Sequence, residues 1–291
     1  MFSNQHEILF GDPHHIWKRD ENGSETHVDR AMNVWGSGGA HSTYFKKIDE
    51  IVIEIFNKPL DEQPVGIADM GCGDGTLLEH LHGLVKNKTI RGENLEKYPL
   101  LIVGADFNQA ARIASAKTLT DSRIQHHILH ADISHPKKYA TELKSQFNIE
   151  LGDLLNVRSF LDHNRIYEAP RKILYKNINT SGSFSFKGKI ITKKKLINNL
   201  IEHFKKWSPF IKKHGLILLE LHTLDPKVTR KNIEKTLAPA YDATHGYSDQ
   251  YLIEHAAFIQ CLEQSNIKIQ KEEQVLFPNN KRSTVSLNYM K

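Results

Sequence analysis

The stretch from Val65 to Leu84, VGIADMGCGDGTLLEHLHGL, constrains this chain more than any other, because it reads as strand, glycine turn and helix in immediate succession. An apolar run, Val65 to Ala68, delivers Asp69 to a turn that carries Gly71, Gly73 and Gly75. Glycines there supply backbone angles closed to other residues and let a ligand approach the main chain, while the new helix points unpaired N–H groups at it. After the turn Leu77, Leu78, Leu81 and Leu84 fall on one helical face. The expectation is a nucleotide-cofactor site on an α/β sheet.

The dinucleotide fingerprint spaces its glycines as GxGxxG. Here the order is Asp-x-Gly-x-Gly-x-Gly, which resembles motif I of the class I S-adenosylmethionine-dependent methyltransferases. In that family the acidic residue lies near the cationic methionine amine, which points to Asp69. LLIVGADFN then ends an apolar run in Asp106 and Phe107 and resembles the second methyltransferase strand, whose acidic residue takes the ribose hydroxyls. A second reading of Asp106, as the cap of the helix starting NQAARIASAKTL, stays open. IQHHILHADISHP alternates as a strand, and the resemblance makes Asp132 and Ile133 adenine contacts. Three strand ends carrying Asp69, Asp106 and Asp132 argue for the donor more strongly than the glycine turn alone.

With 291 residues and 39% hydrophobic content the chain can bury one large core. No run approaches the roughly 18 to 20 apolar residues of a membrane span, and the N-terminus lacks a charged head followed by an apolar core, so a cytoplasmic location is expected. Two cysteines, Cys72 and Cys261, make neither a disulfide framework nor a zinc cluster. A formal charge of +5 is short of a dedicated nucleic-acid binder. The Asp/Asn-Pro-Pro-aromatic tetrapeptide and the Pro-Cys nucleophile of base-modifying methyltransferases are both absent, which counts against nucleic acid as substrate.

Residues 1 to 60 read as an N-terminal arm or lid, with Trp35, His41, Tyr44 and Phe45 available to exclude water. Phe45, Ile48, Ile51, Val52 and Ile55 form a helical stripe that Pro59 and Pro64 end. The methyltransferase domain then spans 61 to 291, with an insertion over about 164 to 190 read as a substrate cap at the carboxyl end of strand four. Nine lysines between Lys187 and Lys213 read either as a solvated helix face or as a docking surface for an acidic partner such as an acyl carrier protein. HGLILLELHTLDP is the fifth strand, and IKIQKEEQVLF and STVSLNYM form a closing hairpin.

Glu220 and His222 lie two apart on the fifth strand, so both project to one face near its carboxyl end. A carboxylate that orients an imidazole is a recognised general base. Asp162 and His163 end the neighbouring strand and are placed to meet them. The pieces RSFLDHNR, ELHTLDP and ATHGYSDQYLIEH, with the arm NVWGSGGAH, resemble methyltransferases of bacterial polyketide assembly lines, which include a metal-dependent C-methylating branch. That resemblance implies a divalent iron or manganese ion held by His163 and Gln250, polarising a dicarbonyl acceptor. Structural readings stay open beside these: a strand-end His222 satisfied by backbone, a Gln250 bonding at a helix start, and a His163 shaping the pocket.

The expected fold is a Rossmann-like class I methyltransferase, a seven-stranded mixed sheet with an N-terminal lid and an insertion after strand four. The expected reaction is methylation of a small or carrier-tethered metabolite at an activated carbon of a polyketide-like acyl group, with His163, His222 and Glu220 as catalytic residues. A small-molecule O-methyltransferase and a non-catalytic S-adenosylmethionine-binding protein are the rivals.

Overall fold

The computed structural model describes residues 5–18, 44–246 and 248–291. Trp35, His41 and the glycines of the arm lie outside the described residues. Helix α1 (Gln5–Phe10) comes first, and a second helix, α2, is described over 44–56. The stripe Phe45, Ile48, Ile51, Val52 and Ile55 is buried on α2, as its spacing predicts.

The alternation expected from the sequence follows: β1 (Gly66–Met70), α3 (Thr76–Lys88), the short α4 (Ile90–Glu93), β2 (Leu101–Asp106), α5 (Gln109–Asp121), β3 (His127–His130), α6 (Pro136–Phe147) and β4 (Leu154–Ser159). A two-stranded hairpin, β5 (Phe184–Phe186) and β6 (Lys189–Ile191), interrupts the pattern before α7 (Lys193–Ile211) and β7 (Leu216–Leu221). Helices α8 (Pro226–Lys231), α9 (Ala238–Gly246) and α10 (His255–Glu263) precede β8 (Val275–Phe277) and β9 (Val285–Met290).

Seven strands make one sheet in the order β3-β2-β1-β4-β7-β9-β8. The first five in space are parallel, and β9 enters antiparallel between β7 and β8. The order reverses between β1 and β4, so the carboxyl ends of β1 and β4 flank the crevice where open α/β sheets bind ligands. Central strands buried on both faces read as continuous apolar runs, and β1 and β7 are buried along their whole length. Gly66 permits the tight β1–β2 register, since a Cβ there would meet the Leu101 carbonyl oxygen at 2.1 Å.

Two apolar layers cover the faces. One is built from α2, α3 and α5, the other from α6, α7 and α10. On α7 the buried stripe is Leu196, Leu200, Ile201, Phe204, Trp207 and Ile211. Trp207 is wholly buried, and its indole N–H donates to the Ile133 carbonyl at 2.8 Å, tying α7 to the end of β3. Among the lysines outside this stripe, Lys206 pairs with Glu168 at 3.1 Å and Lys213 with Asp153 at 2.7 Å.

Candidate active site

The turn after β1 takes its shape from three glycines with positive φ, Gly71 at 86°, Gly73 at 54° and Gly75 at 84°. Amides of Gly71 and Cys72 both donate to the Ala105 carbonyl, at 2.7 and 3.2 Å, which folds the turn back on the end of β2. A Cβ at Gly71 would meet Leu161 at 2.8 Å and one at Gly75 would meet Ser115 at 2.8 Å, whereas nothing lies within 4 Å of the Cβ position of Gly73. The middle of the turn is therefore open for a ligand to approach the main chain.

Register brings the three aspartates together. Asp69 pairs with Gly104 across β1–β2, and Asp106 with His130 across β2–β3, so Asp69, Asp106 and Asp132 stand at the ends of three adjacent parallel strands. Asp106 accepts from Gly73 N at 3.3 Å and Asn108 N at 2.7 Å. It does not cap the following helix, which starts from Asn108. Phe107 is partly exposed, its ring 5.3 Å from that of His130. Asp132 accepts from Ser134 N at 2.8 Å and faces His135 Nδ1 at 3.2 Å, and Ile133 is buried beside it.

Asp69 is 2% exposed, and its Oδ1 has no hydrogen-bond partner among the described residues. Burial, then the Asp106 charge, pushes its carboxyl up to about 8, against the pull of Arg158. A buried carboxylate with an orphan oxygen beside an open glycine turn fits a ligand that brings a cation, as the amine of S-adenosylmethionine does.

The second half of the site lies at the ends of β4 and β7. His163 Nδ1 is 2.5 Å from Glu220 Oε1, and the His163 amide donates to Glu220 Oε2 at 3.1 Å. Both side chains are buried, so the carboxylate fixes the ring's rotation and makes Nδ1 the nitrogen that donates to it. The His245 ring on α9 is 5.1 Å away, edge to face. Its Nδ1 donates to the Tyr241 carbonyl at 2.7 Å, and burial, then His163, lowers its pKa to about 4. Tyr251 N donates to His163 O at 2.8 Å and Gln250 N to His245 O at 3.1 Å, so the backbone seats Gln250 in the same neighbourhood.

One expectation is corrected here. Glu220 orients His163, not His222. After β7 the chain turns toward α10, and His222 is 1% exposed with both ring nitrogens engaged. Its Nδ1 donates to Ile253 O at 3.3 Å, while Nε2 accepts from Ser286 Oγ at 2.7 Å. With no lone pair left to offer, it holds β7 to β9, and burial keeps it neutral. Asp162 also turns away, to Arg158 at 2.9 Å and His203 at 2.8 Å.

A cavity of about 540 Å³ opens between α8, α9 and the insertion, with Phe184, Thr223, Arg230, Asp242, His245 and Gln250 among its walls. Glu254 holds the insertion over it by accepting from Ser181 N at 2.7 Å and Thr180 Oγ1 at 2.5 Å. The family resemblance named Gln250 as a metal ligand, and His245 and Asp242, which line the same cavity, were not among the expected site residues. Their signal lay in the same stretch, AYDATHGYSDQ, where they sit three apart on one helical face. Among the described residues no group of three or more His, Cys, Asp or Glu side chains is arranged to hold a metal ion.

A seven-stranded sheet of this order with a glycine turn and aspartates at its strand ends defines a class I, Rossmann-like, S-adenosylmethionine-dependent methyltransferase. The sequence matches the methyltransferase family described as AprA MT2-like domain over residues 25–288, and the chain belongs to that family. No curated protein matches it. Among solved structures, an O-methyltransferase family protein from Burkholderia thailandensis is similar at 11% identity and a TM-score of 0.48. That alignment covers 88% of this chain and 59% of the other, so the chain spans less than two thirds of that protein's length. The plantazolicin methyltransferase BpumL, solved with a desmethylPZN analog and SAH, is similar at 12% identity and a TM-score of 0.46, covering 89% of each chain. A SAM dependent methyltransferase from Aquifex aeolicus is similar at 11% identity and a TM-score of 0.41, covering 85% of this chain and 97% of that one. Assignment to the family rests on the family match. No helix among the described residues is long and apolar enough to cross a membrane.

Proposed function

We propose that this chain methylates a small or carrier-tethered natural-product acyl group at an activated carbon, with His163 as the proton acceptor. The observation that carries the reading is the buried His163–Glu220 pair at the carboxyl ends of β4 and β7, its Nε2 free of the carboxylate. In this reading Asp69 faces the cofactor's amine, Asp106 and Phe107 its ribose, Asp132 and Ile133 its adenine, and Gly71, Gly73 and Gly75 the chain between. S-adenosylmethionine, when bound, supplies an electrophilic methyl group. The protein's part is to seat the acceptor in line with it, exclude water, and take one proton. Glu220 does the last through His163: it aims Nε2 and stabilises the imidazolium that forms. Phe184 and the rest of the insertion, clamped by Glu254, close the cavity on the acceptor side.

His163 Nε2 has one alternative use, as a ligand for divalent iron or manganese together with Gln250. What supports it is that His163 and His245 both have Nδ1 committed as donors, so that Nε2 is the nitrogen of each left to ligate an ion. Such an ion would polarise an acceptor carbonyl. One lone pair cannot both take the proton and hold the ion, so the two uses exclude each other. Elemental analysis after iron or manganese soaking separates them: an empty protein leaves the base, and bound metal that His163→Ala loses replaces it.

Incubation with isotope-labelled S-adenosylmethionine and a carrier-bound β-dicarbonyl acyl group, read by NMR, tests the reaction. The expected product has its label on the carbon between the carbonyls. A label on oxygen makes the chain an O-methyltransferase, and no transfer to any acceptor makes it a binding protein.

A further inference from the structure

The cavity between α8, α9 and the insertion opens through a basic rim. Arg230 and Ile233 both line the cavity and both are exposed to solvent, so they stand at its mouth. Helix α8 carries Lys227, Arg230 and Lys231 at a spacing of three and four, which is one helical face, and Arg230 sets that face toward the mouth. Lys235 follows in the next turn of chain. Arg282 Nη1 donates to the Lys235 carbonyl at 3.4 Å, which brings Lys281 and Arg282, from the loop between β8 and β9, to the same side.

Little on the rim balances these six cations. Asp225 caps α8, where it accepts from Lys227 N at 2.8 Å, and Glu234 is the other acid of this segment. Asp242 belongs to the cavity wall and accepts from Thr223 Oγ1 at 3.0 Å. Among the described residues none of the six cationic side chains is in an ion pair, and only Arg282 makes a hydrogen bond. The lysines on and after α7 are partly spent, Lys205 on the Tyr175 hydroxyl, Lys206 on Glu168 and Lys213 on Asp153, and none of them lines the cavity. Beside the rim's charges stand Ile233 and Leu237, 61% and 63% exposed. A face that served solubility alone would not hold two large aliphatic side chains in water, whereas a docking surface sets apolar contacts within a charged surround.

We propose that this rim is the docking surface for an acidic protein, the carrier that presents the acceptor, with Arg230 and Ile233 where the tethered group enters the cavity. The sign of the charge selects an acidic partner. Its place at the mouth selects a partner that delivers an acceptor, since a free metabolite needs no surface outside the cavity. The inference rests on the carrier-tethered reading of the acceptor given above. Rim charges act chiefly on encounter, so their effect is screened by salt and spares the chemistry inside.

The test measures methyl transfer to one β-dicarbonyl acyl group presented on an acidic acyl carrier protein, on phosphopantetheine and on pantetheine. Lys227→Glu, Lys231→Glu and Lys235→Glu are combined in one variant; all three side chains are exposed and outside the cavity lining. For the carrier-bound group kcat/KM is expected to fall about tenfold or more, through KM, with the pantetheine rate unchanged. Raised salt is expected to reproduce that loss in the wild type. A second variant makes the same charge change on exposed lysines of α7 and its end, Lys194→Glu, Lys195→Glu and Lys212→Glu, and is expected to behave as the wild type. Unchanged carrier kinetics in the first variant, or an equal loss in the second, overturn the docking surface. An equal loss on phosphopantetheine overturns it too, because the rim then reads the arm's phosphate. Should the first variant not fold, the wild-type salt dependence decides: present for the carrier and absent for pantetheine supports the surface, and the same for both overturns it. A wild type that methylates the pantetheine form and not the carrier form ends the carrier-tethered reading and the surface with it. If no form is methylated the proposed reaction falls, and calorimetric binding of the carrier to the same variants then decides the surface by itself.

Discussion

At the scale of single residues, the two histidines expected to share one job have different ones, and hydrogen bonding is what separates them. His163 has one nitrogen committed to a carboxylate; His222 has both committed, to Ile253 O and Ser286. His163→Ala is expected to lower turnover in the folded fraction by about 10²–10⁴-fold with little change in cofactor affinity. His222→Ala is expected to cost about 1–3 kcal/mol of stability because Ser286 Oγ and the Ile253 carbonyl lose a buried partner, with residual turnover in the folded fraction. Steady-state rates set beside urea midpoints for both variants check this. The aspartates at the ends of β1, β2 and β3 were legible in the sequence because each closes an apolar stretch. The pairing of Glu220 with His163 was not: strand alternation gives the face a side chain takes, and the choice between His163 and His222 depends on where the chain turns after Leu221.

Elements carry the site by packing, and α7 does most of it. Its apolar stripe was plain at a spacing of three and four, and the lysines around it are the solvated face such a helix needs. Hidden in that pattern was the double use of Trp207, which bonds Ile133 beside the expected adenine position and carries Arg158 on its ring. Periodicity marks Trp207 only as another core residue. Truncation to Ala is expected to cost about 3–5 kcal/mol, as for other large aromatic deletions, and to weaken cofactor binding as well. Trp207→Phe keeps most of the volume and loses the indole N–H, so its stability loss should be smaller while the binding defect persists. Chemical denaturation and calorimetry on the pair distinguish packing from the Ile133 bond, and a Phe variant that binds like the wild type would show that bond to be dispensable. The insertion was legible as a break in alternation, though its attachment through Glu254 was not, because that contact joins residues 73 and 74 positions apart.

For the whole molecule, the seven-stranded order follows from alternating strands and helices with a final hairpin, and the family match agrees with it. Burial of neutral histidines gives the fold a pH limit. His203, His214 and His245 are each lowered to about 4, chiefly by burial, and His222 is lowered too. Below their unfolded value near 6.5 the unfolded chain takes up protons that the folded one refuses, so stability falls as pH drops from there to about 4. Each histidine contributes up to about 1.4 kcal/mol per pH unit in that window. Asp69 and Asp242, both raised, oppose the trend but are fewer. Urea midpoints are therefore expected to decline steadily between about pH 6.5 and 4, and a flat profile would mean that these rings are solvated. The central claim, that the turn after β1 and the aspartates beside it hold the methyl donor, is tested most directly by titrating S-adenosylhomocysteine into the wild type and Asp106→Ala in a calorimeter. The account predicts a single site in the wild type and a loss of about 1.5–3 kcal/mol in the variant, the cost of its charge-assisted hydrogen bonds; equal affinity in the two proteins would contradict it.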